Sequence, residues 1–426
     1  MVGHPDPDRR AMTRLETRRQ FLAEAGAFAA AGIAAAHATG LAARRELPPI
    51  RAITRGPKAH WFGYYDKLEV DPTGRFALAM EVGFEHRSPR SDDEVRIGMV
   101  DLDHDDEWKE LGRSRAWGWQ QGCMLQWRPG SRREVLWNDR EGDAFVCRVL
   151  DTQSGAMRTI GRAIYTIAPD GRTAMGVDFE RIQYMRPGYG YAGLIDGNRG
   201  EPRPDDAGLY RIDLDTGRSE LVLSIAAIAA GSAAGDDTTH YFNHVLFNPD
   251  GTRLVFLHRW RQKGKNGFAT RMLTATPDGE DVRVVDGSGH TSHFIWRDAT
   301  HILAWTRREA AGDAFYLFED GGDSVEVVGR EAMHENGHCS YLPGNQWILN
   351  DTYPDAQRLQ HPYLFHVATG RVVPLGHFAS PPAYQGEWRC DLHPRCTPDG
   401  RHVLIDSPHG GNGRQVWSID CRGIVG

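Results

Sequence analysis

Cysteine is scarce in this chain: six in 426 residues, at 123, 147, 339, 390, 396 and 421, with no Cys-x-x-Cys spacing. The low count excludes a small disulfide-stapled scaffold, and the spacing excludes a zinc ribbon. Sustained Lys/Arg runs are absent and the formal net charge is −7. That excludes nucleic acid or an anionic membrane surface as the main partner, although a local basic pocket could still read an acidic sugar. Beyond the N-terminus no stretch reaches the ~18 continuous apolar residues of a membrane span. Apolar stripes of helical period are few, and Ser224–Ala234 is the best short helical candidate. What the chain does have is 40% hydrophobic residues, 10% aromatics, 48 Gly and 23 Pro. That suffices for a large core and many turns, so intrinsic disorder is excluded as well.

The first 45 residues read as an address. Thr17-Arg18-Arg19-Gln20-Phe21-Leu22 sets two adjacent arginines before Phe and Leu, and Ala25–Ala36 follows as an apolar, Ala-rich run. The small-x-small stretch Ala36-His37-Ala38 offers a processing site, with Leu41-Ala42-Ala43 as a second candidate. This resembles a twin-arginine export signal and predicts a periplasmic or secreted protein without an integral membrane segment once the signal is removed.

Residues 46–426 repeat one theme: an apolar strand, a turn of the Pro-Asp-Gly kind, and a second apolar strand. The turns are Asp71-Pro72-Thr73-Gly74, Arg128-Pro129-Gly130, Ala168-Pro169-Asp170-Gly171, Asn248-Pro249-Asp250-Gly251, Leu342-Pro343-Gly344 and Thr397-Pro398-Asp399-Gly400, with Arg297-Asp298-Ala299-Thr300 as a degenerate copy. Proline presets φ, aspartate bonds back to the backbone and glycine accepts positive φ. Seven copies imply roughly 54 residues per unit, the scale of a four-stranded propeller blade. The predicted fold is therefore all-β, a seven-bladed β-propeller preceded by the signal segment. A pair of β-sandwiches would not explain one turn recurring seven times. The longest gap between turns carries a Gly/Tyr-rich insertion, Arg186-Pro187-Gly188-Tyr189-Gly190-Tyr191, and long loops on a rigid scaffold commonly carry binding surfaces.

Alignment on the turn proline brings out a second regularity. Five residues before it, or before Arg297, stand Lys67, Met124, Ile164, His244, Ser292, His338 and His393. One place further on, the third and fifth repeats carry Tyr165 and His293, and Asp391 lies two places before His393. In a ring, equivalent positions converge on one axis. A single propeller histidine is ordinarily a hydrogen-bonded structural group; three at one register position point to a site. His338, Asp391 and His393, with His293 or His244 nearby, offer N/O ligands for a divalent metal: Mn, Zn or Ca, in that order. Tyr165 and Arg181 flank the third turn, so a hairpin could bring a proton-transferring phenol beside a carboxylate-gripping guanidinium.

Several segments resemble the seven-bladed-propeller polysaccharide lyases. They are His60-Trp61-Phe62-Gly63-Tyr64-Tyr65-Asp66-Lys67, Trp137-Asn138-Asp139-Arg140, the Gly/Tyr insertion, Phe242-Asn243-His244, Asn336-Gly337-His338-Cys339-Ser340, Asn350-Asp351-Thr352-Tyr353-Pro354-Asp355 and Arg389-Cys390-Asp391-Leu392-His393-Pro394-Arg395. The ulvan-lyase branch is the nearer likeness; oligogalacturonate lyase is the more distant one, chiefly in the last three repeats. The resemblance implies β-elimination at a uronic acid, giving a 4,5-unsaturated uronate. Such chemistry needs the carboxylate neutralised, a base for the C5 proton and an acid for the departing O4. The resemblance assigns Arg181 to neutralisation and Tyr165 to acid or base work. It also places His338, Asp391 and His393 at a metal, with His293 as a base. Gln120-Gln121 stands where the ulvan lyases carry a histidine; His86 is the nearby substitute, while Gln121 can bind a carboxylate as a neutral donor. His244, Asn243 and Lys67 complete the pocket candidates. An acidic polysaccharide or oligosaccharide is the implied substrate.

Two other classes compete. A TolB-like propeller would bind glycan or an envelope protein without cleaving anything. A propeller glycoside hydrolase would need two carboxylates about the scissile bond, for which Asp66 and Asp391 occupy inner-strand ends.

Overall fold

The computed structural model describes residues 46–426 apart from 233, 236–237, 262–266 and 310. The export signal read at 1–45 lies outside the described residues. Each recurring turn joins the first and second strands of one antiparallel sheet, and the described residues form seven four-stranded sheets, as the turn count predicts. The degenerate turn at 297–300 does the same work as the others, linking Phe294–Trp296 to His301–Arg308. The protein is a seven-bladed β-propeller.

The ring closes with strands from both ends of Leu47–Gly426. Ile50–Ala52 pairs with Gln415–Asp420, Ile50 opposite Ile419 and Ala52 opposite Trp417, and so supplies the outer strand of the seventh blade. The next strand, Ala59–Trp61, begins the first blade. Side chains lock neighbouring blades. Asp406 accepts from the backbone N–H groups of Phe62 and Gly63, both at 3.1 Å, tying the seventh blade to the first. Asn138 donates to the Ile164 carbonyl (2.7 Å) and accepts from the Ile164 N–H (2.8 Å), tying the second blade to the third. Buried polar groups satisfied in this way fix register where apolar contacts would allow slippage.

The innermost strands are shorter than the expected half-dozen residues. In the second, third, sixth and seventh blades they are two residues long: Gln126–Trp127, Thr166–Ile167, Ser340–Tyr341 and Arg395–Cys396. The residues just upstream leave the ladder, which frees them to line the axis. Between the second and third strands of the third blade, the Gly/Tyr insertion packs beside a helix, Phe179–Met185. The helix expected near Ser224 is Ile225–Ala229, capped by the Ser224 hydroxyl, which accepts from the Ala227 N–H. All six cysteines are free thiols, five of them buried. Among the described residues, no helix is long and apolar enough to cross a membrane.

Candidate active site at the propeller axis

The register position picked out in the sequence has an unusual backbone. Met124, His244 and His393 adopt φ of 54°, 53° and 43°, left-handed conformations that bulky residues rarely take and that cost on the order of 1–2 kcal/mol each. Three blades repeat this at one place: Met124 and His393 lie just upstream of their short inner strands, and His244 lies at a register shift within Thr239–Phe247. Gly337, beside His338, is required for a different reason: a Cβ there would lie 1.9 Å from the Asp351 carbonyl oxygen.

Tyr64 is the hub of the site. Its ring stacks on His244 (5.0 Å between centroids) and meets His393 edge-on (5.1 Å), with His338 at 6.3 Å. His338 in turn lies 4.2 Å from His293 and 4.3 Å from His393. Residues more than 90 positions apart in the chain thus share one buried cluster. Ligand atoms of His338, Asp391 and His393 all fall within 4.8 Å of one another. The chemistry of these groups fits a divalent cation. Nδ1 of His338 is 3.0 Å from both carboxylate oxygens of Asp351, so its Nε2 is left for a metal, in the carboxylate–histidine arrangement usual behind metal ligands. His393 Nε2 is buried and lacks any hydrogen-bond partner, the condition of a ligand atom facing an ion.

The two remaining histidines are neutral and present opposite edges. Burial, and then the Arg259 and Arg186 guanidinium charges, hold His244 well below the usual histidine range; burial, followed by His338, does the same to His293. His244 Nδ1 lies 3.3 Å from the Gln121 amide nitrogen and accepts from it, which puts the ring proton on Nε2. His293 Nδ1 lies 2.9 Å from Asn336 Oδ1, to which it donates, and this leaves Nε2 with a free lone pair. His244 is therefore a donor, and His293 an acceptor able to take a proton.

Tyr165 is fully buried at the edge of this group. Its hydroxyl accepts from Gln121 Nε2 (2.7 Å) and from the His244 backbone N–H (2.9 Å), and donates to Gln121 Oε1 (3.0 Å). Burial, with the Asp66 charge, pushes its pKa above the ordinary tyrosine value, so it holds its proton. Gln121 is thus engaged in positioning Tyr165 and His244. Lys67 pairs with Asp66 (2.9 Å), and its ammonium lies 5.1 Å from the Tyr165 ring centre. Asn243 is buried with both amide atoms unpartnered.

Two expected residues stand elsewhere. Arg181 sits in the helix Phe179–Met185 with its five N–H groups donated to Asp196 and to the carbonyls of His240, Asn198, Glu201 and Pro202. That corrects the expected Tyr165–Arg181 pair: a guanidinium whose donors are all engaged has nothing left for a substrate carboxylate. His86 is exposed and packs edge-on against Tyr384 at 4.7 Å, outside the histidine cluster.

The structure adds residues not singled out as site candidates. Tyr189, from the Gly/Tyr insertion, receives hydrogen bonds from Arg389 Nη2 (2.6 Å) and Arg186 Nη2 (3.0 Å), and its ring lies 5.8 Å from His244. Burial raises a phenol's pKa, but here the two guanidinium charges outweigh it and bring Tyr189 below its ordinary value. Arg389 also pairs with Asp391 at 2.7 Å. Tyr64 and Asp351 lie within quoted segments of the resemblance; only proximity in the ring reveals their work.

The fold and this buried His/Asp centre define the class: a seven-bladed propeller with a candidate active site on its axis. No known family profile matches the chain, and no curated protein matches it by sequence. Solved structures do match. Oligogalacturonate lyase from Vibrio parahaemolyticus superposes with a TM-score of 0.62 at 13% identity, over 88% of this chain and 93% of that one. An oligogalacturonate lyase in complex with manganese gives 0.63 at 14% identity, with the same coverage. TolB from Acinetobacter baumannii is a looser likeness, with a TM-score of 0.41 at 12% identity over 82% of this chain and 80% of that one. At these identities the likeness establishes the fold.

Proposed function

We propose that this protein is an exported lyase that cleaves a uronic-acid-containing polysaccharide or oligosaccharide by β-elimination, leaving a 4,5-unsaturated uronate. The observation that carries the reading is the pairing of a neutral, lone-pair-bearing His293 with the buried His338/Asp391/His393 set 4.2 Å away, ring centre to ring centre. A base for the C5 proton and a place to neutralise the adjoining carboxylate are what the reaction demands. One structural neighbour is an oligogalacturonate lyase in complex with manganese; its name supports a saccharide substrate, and its metal supports a divalent cation in this protein.

His338 and His393 would hold the cation through nitrogen and Asp391 through oxygen, a donor set suited to Mn or Zn. A cation bound there supplies positive charge against the substrate carboxylate. The chain's own groups do the rest. His293 Nε2 takes the C5 proton, and Asn336 keeps the ring in that tautomer. Tyr165, held by Gln121 and the His244 backbone, would turn its O–H from Gln121 Oε1 to give its proton to the departing O4. His244 presents Nε2–H as a neutral donor. Lys67 is balanced by Asp66, whose charge helps Tyr165 keep its proton. The twin-arginine pattern supports action in the periplasm or outside the cell.

The test is a panel of ulvan, pectate, glycosaminoglycans and glucuronan mixed with metal-loaded protein, with the ultraviolet absorbance of the unsaturated product as readout. A rise with at least one uronate glycan is expected, together with its loss on chelation. No rise across the panel overturns the lyase reading and leaves a propeller that binds without cleaving.

A further inference from the structure

Two guanidinium groups share one aromatic ring beside the site. Cζ of Arg186 lies 4.9 Å and Cζ of Arg259 4.6 Å from the centre of Phe268, itself 38% exposed. Arg259 is 2% exposed, donates through Nε to Thr270 (3.2 Å) and keeps a buried Nη1 with no partner. Arg186 donates through Nη2 to Tyr189, and its Nη1 is likewise buried and unpartnered. Other buried cations around the axis have their anions: Lys67 has Asp66, Arg389 has Asp391, and Arg395 has Glu69 and Asp406. Among the described residues, neither Arg186 nor Arg259 forms an ion pair.

Two like charges, both short of donated hydrogen bonds, are costly to hold together away from water. Burial, and then the Arg186 charge, pull the Arg259 pKa below its ordinary value. An anion between them would relieve both penalties. A planar carboxylate suits two guanidinium edges, because each of its oxygens can accept a charge-assisted N–H. Arg186 donates to the Tyr189 hydroxyl, and the Tyr189 ring lies 5.8 Å from His244, which sets the arginines beside the histidine cluster. The metal set of His338, Asp391 and His393 is a separate place for an anion, and one sugar unit carries only one carboxylate.

We propose that Arg186 and Arg259 form a carboxylate clamp for a second acidic sugar, so that the substrate is a chain with at least two neighbouring uronate units. This rests on the lyase reading for the identity of the first unit. Phe268, partly exposed, would give that second sugar an apolar contact. The clamp selects free carboxylates over esters, since a methyl ester removes both the charge and one acceptor oxygen.

Calorimetric titration of Tyr165→Phe protein, in which turnover is suppressed, tests the clamp. The probes are galacturonate, digalacturonate, a glucuronate dimer and fully methyl-esterified digalacturonate. At least one acidic dimer is expected to bind about 30-fold or more tightly than the monomer, the scale of a buried charge-assisted contact. Arg186→Gln or Arg259→Gln should bring the dimer to within about threefold of the monomer while leaving monomer affinity within about twofold. Arg186 is half-buried, so its variant keeps the test alive if Arg259→Gln misfolds. Four results overturn the clamp: unchanged dimer affinity in both variants, equal losses for monomer and dimer, an ester that binds as tightly as the acid, or no dimer preferred over the monomer. Failure of the lyase reading shows separately, as the expected binding pattern with no unsaturated product from wild-type protein.

Discussion

Nδ1 of His338 stands 3.0 Å from each carboxylate oxygen of Asp351, and the His338 backbone N–H donates to the same carboxylate at 2.7 Å. One acid therefore fixes the tautomer, the ring plane and the backbone of a candidate metal ligand. Removing the charge but keeping the shape, Asp351→Asn, should weaken divalent metal binding by about 10–100-fold. His338→Ala or His393→Ala should abolish it. Metal content after dialysis against graded chelator measures both. Tight binding unaltered by Asp351→Asn would show that the acid serves the fold alone.

Tyr165 and Tyr189 are pushed in opposite directions, one by burial and the other by two guanidinium groups that outweigh burial. Environments that split two like groups mark separate duties. Tyr165→Phe is expected to lower kcat by about 10²–10⁴ with little change in KM, as for loss of a general acid. In Tyr189→Phe the ultraviolet difference spectrum on raising the pH should lose the tyrosinate that forms below the ordinary tyrosine range, while wild type keeps it. Arg389→Gln should move that signal to higher pH. Full turnover by Tyr165→Phe, or an identical spectrum after removing Tyr189, counts against these assignments.

The blade count and the His/Asp cluster were legible because the same turn chemistry recurs once per blade, at uneven intervals, and a ring converts equal register relative to the turn into proximity. His244, His338 and His393 needed nothing more than that alignment. Arg181 was misleading because sequence spacing placed it near Tyr165 but could not show which acceptors would fill its donors. Five of them come from a loop and a strand that meet it only in the fold. Gln121 was read as a carboxylate donor, whereas Tyr165 and His244 occupy its amide. Tyr189, Arg186 and Arg259 lacked any register signal: the first two lie in an insertion outside the repeat, and Arg259 lies on a second strand. The left-handed backbone at Met124, His244 and His393 was equally invisible, since nothing about Met or His advertises positive φ.

Arg181 supplies a prediction that separates stability from chemistry. Its guanidinium pairs with Asp196 at 3.1 Å and closes four backbone carbonyls, all away from water. Arg181→Ala strands a buried carboxylate and those acceptors, a loss of about 3–5 kcal/mol by analogy with broken buried pairs. The expected result is a much lower urea midpoint, with turnover per folded molecule close to wild type at low temperature. A stable variant with no turnover would return Arg181 to the active site.

The fourth blade contains a buried histidine pair outside the site, and it should make the fold acid-sensitive. His240 Nδ1 lies 2.7 Å from His258 Nε2, and Arg271 Nη2 lies 3.0 Å from His258 Nδ1. Burial, then the Arg203, Arg181 and Arg271 charges, lower His240 to about 4; burial, then His240 and Arg271, lower His258 to about 2. Both folded-state values lie below the unfolded value of about 6.5. The stabilisation is therefore complete above that pH and drains away as the pH falls towards 4, because the unfolded chain binds protons that the folded chain refuses. Each histidine adds a slope of about 1.4 kcal/mol per pH unit within this window. Urea midpoints measured from about pH 7.5 to 5 should fall, and the double variant His240→Asn/His258→Gln should lose up to two protons' worth of that slope. An unchanged slope in a folded double variant would mean that this pair is hydrated and titrates alike in both states.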